Sequence, residues 1–317
     1  MSKPIEDKLE KIPLVNILVR LLKQIKLPGF EGLSTYDLLE LYVLGVVKGA
    51  LTTRASAIAF SFFTAIFPFL LFVIILIPYI PIQDFQDKFL EFLNSFLPPQ
   101  TSDFFLSNIF ENISAGSGAG LLSSVFLLSM LLMANGVNAV FSGFENSYHE
   151  QLTRNVFQQY LYALGIALIL AILVLLTVAV FGYFQIYILS PIYKSVSGAS
   201  LEENGQGLGW IIFAKYMFFI IMVYVATATL YYFGTKEGRA SRFFSIGALL
   251  TTILIILTSY LFSIYIENFS QYNKLYGSIG ALLILLLYLW LNSNILLLGY
   301  ELNASLNMLR KLRKYEA

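Results

Sequence analysis

Six stretches of the chain stay apolar for longer than a strand or an ordinary core helix requires. They run over about 57–82, 119–143, 161–189, 208–233, 243–266 and 277–300. At roughly 1.5 Å of rise per residue, each predicts an α-helix that crosses a bilayer's hydrocarbon. Between them the pattern changes. Ile12 to Leu22 is apolar apart from Pro13, Asn16 and Arg20, and Lys8, Lys11, Lys23 and Lys26 flank it. That stretch is too short to span and predicts a helix lying on the membrane surface. Pro28-Gly29 ends it, and Ser34 with Asp37 gives a start resembling a capping box. Residues 35–51 then predict a second interfacial helix, because Asp37, Glu40 and Lys48 interrupt its apolar run.

After the first span, Phe85, Phe89, Phe92 and Phe96 recur at helical spacing among Asp84, Asp87, Glu91 and Asn94. This marks an amphipathic helix. Pro98-Pro99 ends it, a second short helix is expected from Ser102, and Ser114 to Gly120 reads as a joint. The expected architecture is all-α. It has an interfacial segment at 1–53, a six-helix transmembrane domain at 54–304 with an amphipathic insertion at 83–113, and a basic tail at 305–317.

Composition sharpens the class. The chain is 58% hydrophobic and 12% charged, whereas a soluble domain carries roughly a quarter charged residues. This is the signature of a polytopic membrane protein. There is no cysteine, so disulfides and thiolate chemistry are excluded. The opening residues, MSKPIEDKLEK, mix acids with bases and lack a following small-residue cleavage site, so no cleaved signal peptide is expected.

Lysine and arginine placement predicts the orientation. Sixteen lie on one side: Lys3, Lys8, Lys11, Arg20, Lys23, Lys26, Lys48, Arg54, Arg154, Lys236, Arg239, Arg242, Arg310, Lys311, Arg313 and Lys314. The alternate connections hold only Lys88, Lys194 and Lys274, and Lys215 falls within the fourth span. Both termini are therefore expected in the cytoplasm and the insertion at 83–113 outside.

Polar residues inside the spans are the candidate chemistry, since they are costly at membrane depth. Asn135, Asn138, Ser142 and Glu145 share one face of the second span. Arg54, Ser61, Thr64 and Pro68 share one face of the first. Ser245, Thr252 and Ser259 repeat every seven residues on the fifth, followed by Ser263 and Glu267. The last span carries Asn292, Asn294 and Glu301, and opens on Gly277, Ser278 and Gly280. Pro68 cannot donate to the carbonyl of Thr64, so a kink is expected there. The predicted orientation brings Arg54, Glu145 and Glu301 to one depth, near the cytoplasmic boundary.

Three motifs give the chain a resemblance. The first is Arg54-Ala55-Ser56-Ala57-Ile58-Ala59-Phe60 leading to Phe67-Pro68. The second is Asn135-Gly136-Val137-Asn138 through Glu145, Tyr148 and Arg154. The third is Tyr276-Gly277-Ser278-Ile279-Gly280, Leu289-Trp290-Leu291 and Leu298-Gly299-Tyr300-Glu301-Leu302-Asn303-Ala304. Over about residues 35–305 the chain resembles the YihY/BrkB family of bacterial inner-membrane proteins, to which the name ribonuclease BN was once given. Ser241-Arg242-Phe243-Phe244 before Gly247-Ala248 departs from the Trp or Pro often found there in the family. The resemblance implies six spans, a cytoplasmic-membrane location and a link to envelope lipids.

Nuclease chemistry does not suit these residues. A catalytic zinc needs three protein ligands, yet His149 is the only histidine and cysteine is absent. A two-metal site needs clustered carboxylates, and Glu145, Glu150, Glu237 and Glu301 lie on separate helix ends. No basic, aromatic-interleaved face that tracks RNA is present either. No enzyme activity, metal, cofactor or nucleic-acid partner is expected.

The sharper expectation is a cytoplasm-open polar cavity bounded by spans one, two, five and six. In it Arg54, Ser61, Thr64, Asn135, Asn138, Glu145, Asn294 and Glu301 would bind an anionic lipid or envelope precursor. Arg54 would pair with Glu145 or Glu301, or would meet a phosphate, while Pro68, Gly277 and Gly280 served as hinges. The plainer expectation is that the same residues are interhelical packing and hydrogen-bonding elements. A membrane scaffold recruiting envelope-assembly proteins through 1–33 and 83–113 is the alternative to a transporter. A passive channel fits less well, because no charge ring or filter repeat is visible. Membrane lipids are the partners common to both leading readings, and nothing in the sequence fixes an oligomeric state.

Overall fold

In hydrocarbon every backbone N–H and C=O must be satisfied within the protein, which leaves helices or closed barrels as spanning structures. The computed structural model describes residues 51–76, 119–145, 155–184, 205–235, 242–269 and 278–316, with scattered positions between 19 and 50. These residues form six long helices: α1 (Leu51–Leu76), α2 (Ala119–Glu145), α3 (Val156–Tyr183), α4 (Gly205–Gly234), α5 (Ile246–Phe269) and α6 (Ser278–Glu316). All six are long and apolar enough to cross a membrane. The amphipathic insertion expected at 83–113, most of the expected surface helix at 1–33, and Gly277 lie outside the described residues.

Two boundaries differ from the sequence reading. The first helix begins at Leu51, six residues before the apolar run expected from 57. Ala50 adopts a left-handed φ of 47° and turns the chain, and its carbonyl accepts the Arg54 backbone N–H at 3.2 Å. Arg54 therefore falls in the first turn of the helix. The last helix continues through the basic residues to Glu316. Its 39 residues make a rod of about 58 Å, well beyond the roughly 30 Å of a hydrocarbon core. The helix α1 runs unbroken through Pro68.

The helices close into a ring in chain order, α1 on α2 and so on round to α6 on α1, and α2 also touches α4 and α6. That makes α2 the hub. Its tight seam with α1 depends on Gly143, where a Cβ would stand 2.8 Å from the Ile58 side chain. The most buried part of the core is gathered at one end. It comprises Ile58 of α1, Val140, Phe141 and Phe144 of α2, Thr251 and Thr252 of α5, and Leu297 of α6. Toward the other end large apolar side chains face outward, among them Trp210, Tyr216, Tyr260 and Leu261. A bundle in lipid tolerates this, because hydrocarbon solvates an outward leucine as well as a core does.

At the α5–α6 crossing the two backbones approach closely. A Cβ at Gly299 would stand 2.6 Å from the Tyr231 hydroxyl and 2.7 Å from the Gly247 carbonyl oxygen. Small residues at such crossings let helices gain dispersion contact that lipid cannot replace. Gly299→Leu is accordingly expected to abolish recovery of monodisperse protein in mild detergent. Leu283→Ala, at a position 43% exposed, should leave the elution profile unchanged. Fluorescence-detected size-exclusion chromatography of both variants makes the comparison.

Candidate functional site

The helix ends gathered at the well-packed end are where backbone groups run out of partners. The last carbonyls of α2 have no N–H four residues on within the described helix. Arg54, from the first turn of α1, supplies one of the missing donors: its Nη1 donates to the Gly143 carbonyl at 2.7 Å. Its Nη2 donates to Glu301 Oε1 of α6, also at 2.7 Å. One guanidinium thus ties three helices together. A cation at a helix C-terminus also opposes the negative end of the α2 dipole.

Burial makes breaking this clamp costly. Arg54 is 9% exposed and Glu301 2%. Desolvating two charges is expensive, so such a pair persists only with short, well-directed, charge-assisted bonds. The Arg54 Nε is buried without a hydrogen-bond partner. Glu145, the last residue of α2, is 2% exposed and lies two residues past the carbonyl that Arg54 binds. Next to each glutamate in the chain, Phe144 and Tyr300 stack with centroids 4.0 Å apart and planes 11° apart.

A second polar network secures the neighbouring helices. Ser245 caps α5 by accepting the Ala248 N–H at 3.2 Å. Asn303 of α6 accepts the Gly247 N–H at 2.9 Å and donates to Ser245 Oγ at 2.8 Å. The start of α5 is therefore capped from its own chain and from α6. Tyr231 of α4 donates to the Leu296 carbonyl at 2.6 Å. A tyrosine has one proton to give, so Thr251 donates to Tyr231 in their 2.6 Å bond. Tyr300 donates to Thr235 at 2.9 Å.

The remaining sequence candidates do not all converge here. Thr64 and Asn135 are exposed on the bundle surface, while Ser61, Asn138 and Asn294 are half-buried. Thr64 donates back to the Ser61 carbonyl at 3.0 Å. Asn294 and Asn292 each donate to the carbonyl four residues earlier on their own helix, at 2.7 and 2.8 Å. Gly280 is buried near the start of α6. The end where Arg54, Glu145 and Glu301 meet is a packed seam. An open cleft lies elsewhere, between α1, α2 and α3 with Leu289 of α6, and is lined by apolar side chains. No group of three or more potential metal ligands occurs among the described residues.

Asn303 and Tyr231 were not picked out as site residues from the sequence. Asn303 ends a recognised motif, but its role depends on meeting the N-terminus of α5. Tyr231 is one of 20 tyrosines and carries no local signal.

Six apolar helices in a ring, joined at one end by a buried ion pair, define an integral multi-pass helical membrane protein. A family model described as Virulence factor BrkB matches residues 45–316, and the chain belongs to that family. The ribonuclease-like protein YfkH of Bacillus subtilis is 28% identical over 262 residues, covering 82% of this chain and 91% of that protein. A UPF0761 membrane protein of Aggregatibacter aphrophilus is 24% identical, covering 83% of this chain and 89% of its own length. A UPF0761 membrane protein of Psychrobacter is 20% identical over 89% of this chain, which spans 50% of that longer relative. No solved structure matches the chain.

The clamp predicts a pattern of non-additivity. Arg54→Met or Glu301→Met alone leaves a buried charge without its partner and should cost about 3–5 kcal/mol. The double variant removes both charges and should recover much of that loss. Thermal unfolding in detergent, followed by intrinsic fluorescence, should place the double variant's midpoint above both singles.

Proposed function

We propose that the protein is a transporter or translocator of an anionic lipid or envelope precursor in the bacterial cytoplasmic membrane, with both termini in the cytoplasm. The observation that carries this reading is the Arg54 guanidinium. It is a permanent cation with a planar fork of donors, buried at one end of the spans, and it spends two of those donors on a carboxylate and a carbonyl. A phosphate offers the same oxygen geometry with more charge.

In this reading the Arg54–Glu301 pair is the resting latch. A headgroup phosphate takes the place of Glu301 on the guanidinium, and α6 is freed from α1. The polar residues on the adjoining faces, Ser61 and Thr64 of α1 with Asn135 and Asn138 of α2, pass from half-buried to exposed away from the latch. They supply hydrogen bonds to a polar group moving along the bundle. Pro68, Gly277 and Gly280 serve as the points where α1 and α6 bend. Glu145 and Glu301 act as counter-charges in this scheme and not as a catalytic acid and base.

The test is leaflet exchange in proteoliposomes. A fluorescent phosphatidylglycerol is placed in both leaflets, and its protection from an external quencher is followed. The native protein should accelerate loss of protection relative to protein-free vesicles. Arg54→Gln should slow it about tenfold or more, as expected for loss of a charge-assisted contact. An Arg54→Gln protein that folds and exchanges lipid at the native rate would sink the assignment of Arg54. A native protein no faster than empty vesicles would remove the translocation reading itself.

A further inference from the structure

The helices α1 and α3 both pack on α2, and between them lies an open cleft of about 230 Å³. Small side chains make the space: Ala65 on α1, Gly136 on α2, and Ala167 and Ala171 one turn apart on α3. Every lining residue is apolar, including the Phe62 and Phe69 rings. Its lining includes Val174, 37% exposed, so the cleft reaches the outer face of the bundle.

Depth is fixed by α2. Gly143, whose carbonyl receives Arg54, lies seven residues from Gly136 and ten from Met133. At 1.5 Å per residue the cleft sits about 10–15 Å from the clamp. Half a hydrocarbon core is roughly 15 Å. The cleft is therefore close to the bilayer midplane when the clamp is at the headgroup boundary.

An apolar cavity of this kind excludes water and admits hydrocarbon. One of about 150 Å³ stays dry and takes up benzene. By that scale the present cleft holds about nine carbons. At the midplane, open to the side, the hydrocarbon on hand is the distal half of an acyl chain. The geometry points to a lateral socket for the distal half of a glycerophospholipid acyl chain, entered between α1 and α3. The phosphate of a lipid so seated lies about one chain length away, at the level of Arg54. As a binding site the socket stands by itself; as a substrate subsite it rests on the translocation reading above.

The experiment uses the full-length protein in nanodiscs with a phosphatidylglycerol carrying a photoactivatable diazirine near the end of one chain. Adducts are mapped by peptide mass spectrometry. Adducts concentrated on 133–137 of α2 and 167–174 of α3 are expected. Ala171→Phe, which fills the floor, and Val174→Trp, which narrows the mouth, should each reduce them about tenfold. Ile172→Ala, at a position 62% exposed, should not.

Adducts spread evenly over the lipid-facing surface, or unchanged in both filling variants, overturn the socket. Leaflet exchange by the same variants separates the two claims. Loss of adducts with slowed exchange supports the socket as a substrate subsite. Loss of adducts with native exchange keeps the socket and overturns its place on the substrate path. Specific adducts in a native protein that exchanges no lipid keep the socket while the translocation reading fails.

Discussion

One guanidinium at the start of α1 holds the bundle's closed end together. Arg54 reaches a backbone oxygen of α2 and a carboxylate of α6, both at 2.7 Å, and so ties three helices with one side chain. The hydrophobic effect contributes little between helices once lipid surrounds them, so close packing and buried polar bonds decide which faces meet. The Gly143 seam brings α1 onto α2 closely enough for the arginine to reach the carbonyl. The rest of the closed end follows from that placement. Phe144 is positioned to stack on Tyr300, and Tyr300 reaches Thr235.

The closed end also shows how a membrane protein spends polar groups. Each helix terminus there exposes backbone donors or acceptors that water would otherwise satisfy. At two of these termini a side chain lent by a neighbouring helix is the partner. Arg54 serves the end of α2, and Asn303 serves the start of α5. Within the spans the answer is different. Thr177, Ser293 and Asn294 each donate to the carbonyl of the previous turn. Polar character at mid-depth is thus largely consumed within single helices, whereas at the closed end it is shared between them. Conformational change is most strongly opposed where it is shared.

Helix number and class were legible because both follow from apolar run length, which a bilayer reads directly. The meeting of Arg54 with Glu301 was legible as one of two pairings, since helical spacing and charge bias put both residues at one depth. That Arg54 meets the Glu301 carboxylate and the Gly143 carbonyl together was not, because it depends on the rotation of α2 and α6 about their axes. Start and stop positions were read poorly at α1 and α6 for a shared reason. Charged residues were taken to mark the ends of spans, yet Arg54 is buried within the helix and the basic run from Arg310 prolongs one. The polar faces of α1 and α2 pointed toward a polar cavity among spans one, two, five and six. The described residues pack Arg54, Glu145 and Glu301 into a buried seam and open an apolar cleft beside α3. Its alanines look like ordinary membrane-helix composition until α1 and α3 are seen to share one support.

The clamp and the cleft are coupled by being built on the same two rods. Gly143 and Gly136 lie two turns apart on α2, and Arg54 and Ala65 lie three turns apart on α1. A helix transmits tilt along its length with little bending except at defined weak points. If α1 swings away from α2 to widen the cleft, the arginine at its end is pulled from the Gly143 carbonyl, and two buried charges are exposed or must find new partners. That cost keeps the cleft narrow while the pair is intact. Pro68 lies beside the cleft wall residue Phe69 and beyond the clamp, so bending there moves the far half of α1 without disturbing Arg54. A latch at one end and a soft point past the middle allow the cleft to widen from its far side first. Release at Arg54 is then a separate event.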